Sequence, residues 1–297
     1  MKILITGASG IIGTQVSSFL SDNYDLSLLY NNNKIESKNA KKLDLCDLSS
    51  VENFAKNCSY YDVLIFFSGL AHKRIFRNHR KVYFEQNYYT IVRLLSLLEK
   101  NNKLPRKIIF ASTISVYGER MNIQYFDEAI KPLPRNYYAK SKYKAEKHLI
   151  DKYKSISWIL RFAPVYSKDF KLNIERRSKL FGFNFLVGKG LKQISLCNIN
   201  NIKLVIAAVI KNKVSNGVYN ISDNRKYLFK DLLKYRNIDD YLAIPESFIY
   251  SLYKYNKLLN INFINENCIK LISNMIYPSD KINKYIKLDN YLFDSKN

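Results

Sequence analysis

Three observations in the sequence predict an α/β fold, a doubly wound parallel sheet followed by a smaller, mainly helical C-terminal lobe. Short apolar runs alternate with helix-period segments through the first half of the chain. Those runs are continuous, as in Val63 to Phe67, which marks strands buried on both faces of a parallel sheet. A glycine-rich loop separates the first run from the first helix. Strands and helices alternating in this way build right-handed βαβ units.

Taken in order, Lys2 to Thr6 is a short apolar strand, and Ile12, Val16, Phe19 and Leu20 then recur at helical spacing. Gly7, Gly10 and Gly13 occupy the junction. There the first glycine permits a tight turn, the second lets backbone amides approach a pyrophosphate, and the third lets helix pack on strand, while the helix N-terminus attracts phosphate. The spacing is one residue looser than the dehydrogenase fingerprint. Leu26 to Tyr30 is a second strand, and its tip reads Asn31-Asn32-Asn33-Lys34. An acid at such a tip grips the adenosine ribose and a cation takes a 2′-phosphate. Asn31 suits the ribose hydroxyl and Lys34 a phosphate, so NAD and NADP both stay open. Asp44, in Lys42-Leu43-Asp44-Leu45-Cys46-Asp47, is read either as a partner of the adenine amino group or as the N-terminal acid of the helix beginning at Leu48.

Val63 to Phe67 ends in the small-residue turn Ser68-Gly69-Leu70-Ala71, at the sheet edge where open α/β sheets bind ligands. His72 and His79 follow as ordinary surface histidines. Asn87 precedes an amphipathic helix marked by Ile91, Leu94, Leu95 and Leu98. It is read as a packing amide or a relay. Lys107 to Ala111 is another strand, delivering Ser112, Thr113 and Ser115 to the same edge. A Pro-rich loop, Lys131 to Pro134, then leads into a helix carrying Tyr138 and Lys142, and Trp158 to Arg161 closes the run of strands.

Tyr138 and Lys142 lie one turn apart on one helix face. An ammonium beside a phenol favours tyrosinate and makes a candidate general acid and base. The spacing is common here, recurring at Tyr250/Lys254, Tyr253/Lys257 and elsewhere. Position singles out Tyr138: its helix follows the strand ending in Ser112-Thr113, downstream of the glycine loop.

Composition excludes several classes. The hydrophobic share is 47%, yet no apolar run approaches the roughly 18 residues of a membrane span, so a cytoplasmic protein without stable membrane insertion is expected. Cys46, Cys58, Cys197 and Cys268 form no CxxC pair, so neither a metal site nor a disulfide framework is indicated. The formal charge of +23 is read as a solvated basic surface, with no nucleic-acid partner.

The motifs Thr6-Gly7-Ala8-Ser9-Gly10-Ile11-Ile12-Gly13, Ser112-Thr113 before Val116-Tyr117-Gly118, Tyr138-x-x-x-Lys142, and Leu160-Arg161 before Val165-Tyr166 stand in a familiar order. Together they resemble an extended short-chain dehydrogenase/reductase, more narrowly the NAD-dependent epimerase/dehydratase family acting on nucleotide sugars. The resemblance runs over roughly residues 1 to 225. It implies a Rossmann-type dinucleotide-binding domain over 1–166 and a substrate-binding lobe over 167–297, with a segment near 198–222 returning to the sheet. It also implies NAD or NADP as cofactor, a nucleotide-sugar substrate and a homodimer as an allowed assembly. By the same resemblance Tyr138 is the acid/base, Lys142 lowers its pKa and holds the nicotinamide ribose, and Thr113 shares the proton, with Ser112 the next candidate. Gly7, Ser9, Gly10, Ile12 and Gly13 would cradle the pyrophosphate, Asn31 the adenosine ribose, Asp44 and Leu45 the adenine, and Ser68 and Gly69 the nearby ribose. Pro164 stands where the family frequently has a substrate-contacting Asn, and Ser167 where it has glycine. Ala163 to Tyr166 and Gly118-Glu119 resemble a branch with 4-epimerases and 4-ketoreductases of surface-polysaccharide sugars. A dehydratase is disfavoured, because Ile114 and Ser115 stand where its extra acid/base pair usually follows the Thr. A cofactor-binding sensor or scaffold is the competing reading.

The remainder gives helical segments over Leu228 to Leu233, Glu246 to Leu258 and Cys268 to Met275, the last ended by Pro278. Arg176, Arg177 and Lys179 are read as a plain exposed basic face or, as the lesser reading, as partners of a substrate diphosphate. The Lys- and Tyr-rich stretch Tyr250 to Lys257 closes over the cofactor domain or, as the lesser reading, touches an anionic membrane.

Overall fold

A computed structural model describes residues 1–71, 79–259 and 261–294; His72 lies outside the described residues. The chain forms two compact units that interleave in sequence. One comprises Met1–Val116, Asn136–Arg161 and Val205–Tyr219, and the other Tyr117–Arg135, Phe162–Leu204 and Asn220–Asn297. The chain thus crosses between them several times.

The first unit is built on strands β1 (Lys2–Thr6), β2 (Asp25–Tyr30), β3 (Ala40–Lys42), β4 (Val63–Phe66), β5 (Lys107–Thr113), β6 (Ser157–Phe162) and β7 (Gly217–Ile221). They form a seven-stranded sheet in the order β7-β6-β5-β4-β1-β2-β3, and the ladder from β3 to β5 is parallel throughout. The order reverses at β1, and ligands bind at such a switch point, beyond the strands' carboxyl ends. All four residues of β4 are buried, as the continuous apolar run requires. Around the sheet run helices α1 (Ile11–Leu20), α2 (Leu48–Asn57), α3 (His79–Phe84), α4 (Thr90–Lys100), α5 (Tyr137–Tyr153) and α6 (Ile199–Ile210). A single π turn, Glu85–Tyr89, joins α3 to α4. Ile91, Leu94, Leu95 and Leu98 of α4 are buried with Val51 and Phe54 of α2 in one core cluster. Phe19 departs from the expected stripe of α1 and is exposed, while Val16 and Leu20 are buried.

Two details fix the unit's edges. Lys107 donates to the carbonyls of Val209 and Ile210 at 2.8 Å, a cation closing the carbonyl end of α6. Inside, Glu146 of α5 and Arg161 of β6 form an almost fully buried ion pair at 2.7 Å, and Ser112 donates a further hydrogen bond to Glu146.

The second unit holds helices α7 (Phe229–Tyr235), α8 (Glu246–Leu259) and α9 (Asn262–Ile272) together with short strands. Met275, expected at the end of the last helix, is instead in a bridge with Ile194, because its N–H bonds the Gln193 carbonyl. Helix α9 accordingly begins and ends earlier than the sequence suggests. A buried carboxylate organises the unit. Asp223 accepts from the Tyr166 and Tyr227 hydroxyls at 2.7 and 2.9 Å, the Asn198 N–H at 2.6 Å and the Asn201 amide at 2.8 Å. Burial still pushes its pKa up to about 6. Ser167, where a glycine was expected, closes its own turn by accepting the Phe170 N–H at 3.0 Å.

Removing one member of a buried ion pair leaves the other uncompensated, a cost of about 3–5 kcal/mol. Glu146→Ala is therefore expected to lower unfolding stability by that order, read as a drop in denaturant midpoint. An unchanged midpoint would show that Arg161 finds another partner.

Candidate active site

Every residue of the candidate site described below belongs to the first unit, at the carboxyl ends of β1, β4 and β5. The glycine loop is shaped by close approach. Gly7 has φ +66°, and a Cβ there would sit 2.7 Å from the Ser68 nitrogen; one at Gly13 would sit 2.2 Å from the Gly7 carbonyl oxygen. The Gly10 N–H donates to the Gly7 carbonyl at 3.0 Å, and Gly10 then serves as the N-cap of α1, whose first turn carries no acid. That helix end, with its open N–H groups, suits an anion.

A cleft of about 270 Å3 opens beside this loop, lined by Gly7, Ser9, Gly10, Asn31, Asp44, Leu45, Ser68 and Gly69 among others. Four expected cofactor residues stand apart from it, Ile12 and Gly13 on α1 and Tyr138 and Lys142 on α5. Ile12 is half-buried in the first turn of α1, and Gly13 is buried beneath the loop. Asp44 leaves the helix-capping role to Asp47, whose carboxylate accepts the Ser49 and Ser50 N–H groups. The Asp44 carboxylate accepts the Cys46 N–H at 2.9 Å and stays exposed on the cleft. Lys34 lines a second hollow of about 390 Å3, which shares Ser9 and Asn33 with the first.

Thr113, Tyr138 and Lys142 come together at the next part of the edge. The Thr113 hydroxyl donates to the Ser115 hydroxyl and accepts the Ser115 N–H, both at 3.2 Å, and it lies close enough to the Tyr138 phenol to ease its ionisation. Ser112 points elsewhere, its hydroxyl bonded to Glu146, so Thr113 is the hydroxyl that faces the phenol. Burial pushes the phenol up to about 12, against the pull of Thr113. The direction is opposite to that expected of an adjacent ammonium. Lys142 lies 5% exposed with its Nζ over the Phe110 ring, 4.4 Å from the centroid. Burial brings its pKa down to about 8, and the Glu146 carboxylate one turn further along α5 opposes that fall. The cation is thus spent on its own buried surroundings and leaves the phenol protonated at neutral pH.

Gly69 joins this group to the cleft: a Cβ there would lie 2.7 Å from the Asn87 Oδ1 and 3.4 Å from the Lys142 Nζ. Asn87 is fully buried in the π turn. Its Oδ1 accepts the Leu70 N–H at 2.6 Å, while its amide nitrogen donates to the Leu70 carbonyl and the Ser141 hydroxyl, both at 3.1 Å. It is a brace between the Ser68–Ala71 turn and the Tyr138 helix. Arg93 does similar work behind Leu45, donating to its carbonyl at 2.6 Å and pairing with Glu85 at 2.8 Å. Sequence reasoning missed Arg93, Ser141 and Glu146; the signal for Glu146 was its place at i+4 from Lys142 on the same buried face.

In the second unit, Arg176, Arg177 and Lys179 do not form one cluster. Arg176 and Lys179 are exposed, whereas Arg177 turns inward, donating to the Asn173 carbonyl at 2.6 Å, with its pKa lowered to about 10 by burial. Among the described residues no three His, Cys, Asp or Glu side chains gather as a metal would need, and no helix is long and apolar enough to cross a membrane.

The sequence matches the model of the NAD dependent epimerase/dehydratase family over residues 3–221. The chain belongs to that family. It is 26% identical over 232 residues, 75% of the chain and 67% of the relative, to an N-acetyl-α-D-glucosaminyl-diphospho-ditrans,octacis-undecaprenol 4-epimerase of Escherichia coli O157:H7. It is 29% identical over 159 residues to the UDP-glucose 4-epimerase of Pisum sativum, spanning 48% of the chain and only 44% of that relative. In fold it is similar to the UDP-glucuronic acid 4-epimerase from Bacillus cereus in complex with NAD, with TM-score 0.71 and 18% identity over 99% of this chain and 96% of the other. Family membership makes a nicotinamide dinucleotide the cofactor. The glycine cradle, where a Cβ would collide with backbone, the anion-ready helix end and the adjoining cleft fit such a group.

Gly69→Ala is expected to weaken dinucleotide binding at least tenfold in calorimetric titration while leaving the unfolding transition in place, because the methyl displaces Asn87 and crowds Lys142. Undiminished affinity would remove Gly69 from the site.

Proposed function

We propose that this chain is an NAD(P)-dependent 4-epimerase of a sugar carried on a diphosphate, with a nucleotide sugar as substrate, serving surface-polysaccharide synthesis. The observation that carries the reading is the meeting of Thr113, Tyr138 and Lys142 beside the glycine cradle. A bound dinucleotide would supply the hydride acceptor and donor for an exchange at one carbon of the sugar. Everything else falls to the chain. Tyr138, protonated in the free protein, would be drawn toward tyrosinate by the positive charge that an oxidised nicotinamide brings; in that form it takes the proton of the C4 hydroxyl as the C4–H bond breaks, and it gives the proton back as the 4-keto group is reduced. Thr113, beside the phenol, passes the proton and orients the hydroxyl. Lys142, facing Gly69, holds the nicotinamide ribose, and Gly7, Ser9 and Gly10 hold the pyrophosphate. Asn31 meets the adenosine ribose, and Asp44 and Leu45 meet the adenine.

The family description and the activities named for the two relatives favour epimerisation over net reduction of a 4-keto sugar. An enzyme assay separates the two. Epimerisation leaves NADH or NADPH absorbance unchanged, whereas a 4-ketoreductase consumes the reduced cofactor stoichiometrically. Supplying the sugar on UDP and on polyprenyl diphosphate reads which carrier is used.

Tyr138→Phe is expected to lower kcat by about 10^2- to 10^4-fold, the usual weight of a positioned acid/base, with dinucleotide affinity little changed. Undiminished turnover of every active sugar would overturn the mechanism. Lys142 has a lowered pKa, so its ammonium is present below about 8 and lost above it. Dinucleotide affinity is therefore expected to fall as pH rises through about 8, and Lys142→Met should abolish that dependence. A wild-type affinity flat across this range would contradict it.

A further inference from the structure

The cleft beside the glycine loop continues into the second hollow of the first unit, and the two share Ser9 of the loop and Asn33 just past β2. That hollow, about 390 Å3, lies between α1 and the segment that joins β2 to β3. Backbone bonds fold the segment back on itself. The Leu28 N–H donates to the Asn39 carbonyl at 2.9 Å and the Ala40 N–H to the Ser37 carbonyl at 3.1 Å, while the Ser37 hydroxyl accepts the Asn39 N–H at 3.3 Å. The wall so formed carries Lys34, whose side chain is exposed.

Charge says what this junction suits. Among the described residues, Lys34 is the one cation lining either opening, and Asp44, on the cleft, is the one carboxylate. Glu36, two residues past Lys34, lines neither. Within the described residues the Asn33 and Lys34 side chains have no hydrogen bond or ion pair of their own, so an amide and an ammonium stand free where the cleft meets the hollow. At the tip of a second strand the two dinucleotides ask for opposite groups. A carboxylate there accepts the ribose 2′-hydroxyl and repels a phosphate, whereas a cation with further donors takes the phosphate. The tip reads Asn31-Asn32-Asn33-Lys34, without an acid. The pyrophosphate falls to the glycine cradle and the end of α1, which leaves Asn33 and Lys34 for a further phosphate.

We propose that Lys34 and Asn33 hold the 2′-phosphate of NADP at this junction, so that the chain selects NADP over NAD. The proposal rests on the dinucleotide site described above and on no step of the sugar chemistry. Calorimetric titration of the full chain tests it. NADP+ is expected to bind about tenfold or more tighter than NAD+ at low salt, the weight of a hydrogen bond to a charged group. That gap should narrow as salt rises. Adenosine 2′,5′-bisphosphate against 5′-AMP is expected to show the same gap, which places it at the ribose. Lys34→Glu is expected to lose about tenfold or more of the NADP+ affinity while NAD+ affinity stays within about threefold, since the new carboxylate repels only the phosphate. The unfolding transition should not move, because Lys34 is exposed. NAD+ bound as tightly as NADP+ would overturn this inference alone, whereas binding of neither would strike the dinucleotide site as well. A preference for NADP+ that Lys34→Glu leaves intact would also overturn it, by assigning the choice to other residues.

Discussion

A cation held out of water is the constraint on which the site depends. Lys142 sits at the junction of β5, α5 and the turn after β4, with the Phe110 ring under its ammonium. Burying a charge in this way is tolerated only where polar and π contacts and counter-charge replace water. Each neighbour follows from that need. Gly69 must lack a side chain because the Asn87 amide and the ammonium fill its space. Asn87 holds the turn by both ends of its amide. Glu146 supplies negative charge one helical turn away, and Arg161 in turn compensates Glu146. The consequence is a lysine whose proton is held less tightly than in water and a phenol whose proton is held more tightly.

Much of the first unit was legible because its signals are local. A strand buried on both faces must be a continuous apolar run, and Val63–Phe66 is one. The amphipathic period of α4 left one solution for Ile91, Leu94, Leu95 and Leu98. The glycine cradle was legible for the same reason, since close backbone approach admits only glycine at Gly7 and Gly13. What escaped is set by contacts between residues distant in sequence. Asn87 reaches Ser141, and Ser112 reaches Glu146. No spacing rule announces either pair. Arg177 shows the limit from the other side: three basic residues grouped in sequence read as one exposed face, yet one of the three turned inward. The helix assigned to Cys268–Met275 failed because Met275 pairs with Gln193 across the unit, a tertiary demand that overrides local helix preference.

The two units divide the labour differently. The first holds the candidate site with buried hydrogen bonds, built from short contacts among α5, β5 and the loops after β1 and β4. The second is held by the Asp223 hub and carries an exposed apolar line on α8 that the candidate site does not use.

The most direct test of the chemistry follows the hydrogen at C4. A substrate carrying deuterium at C4 is converted by the enzyme in ordinary water, and the epimeric product is analysed by NMR and mass spectrometry. Return of the same hydride by the dinucleotide predicts full retention of deuterium at C4, with none gained at any ring carbon when unlabelled substrate reacts in deuterated water. Loss of the label to solvent, or solvent deuterium at C3, C4 or C5, would contradict hydride transfer at C4 and with it the roles assigned to Tyr138, Thr113 and Lys142.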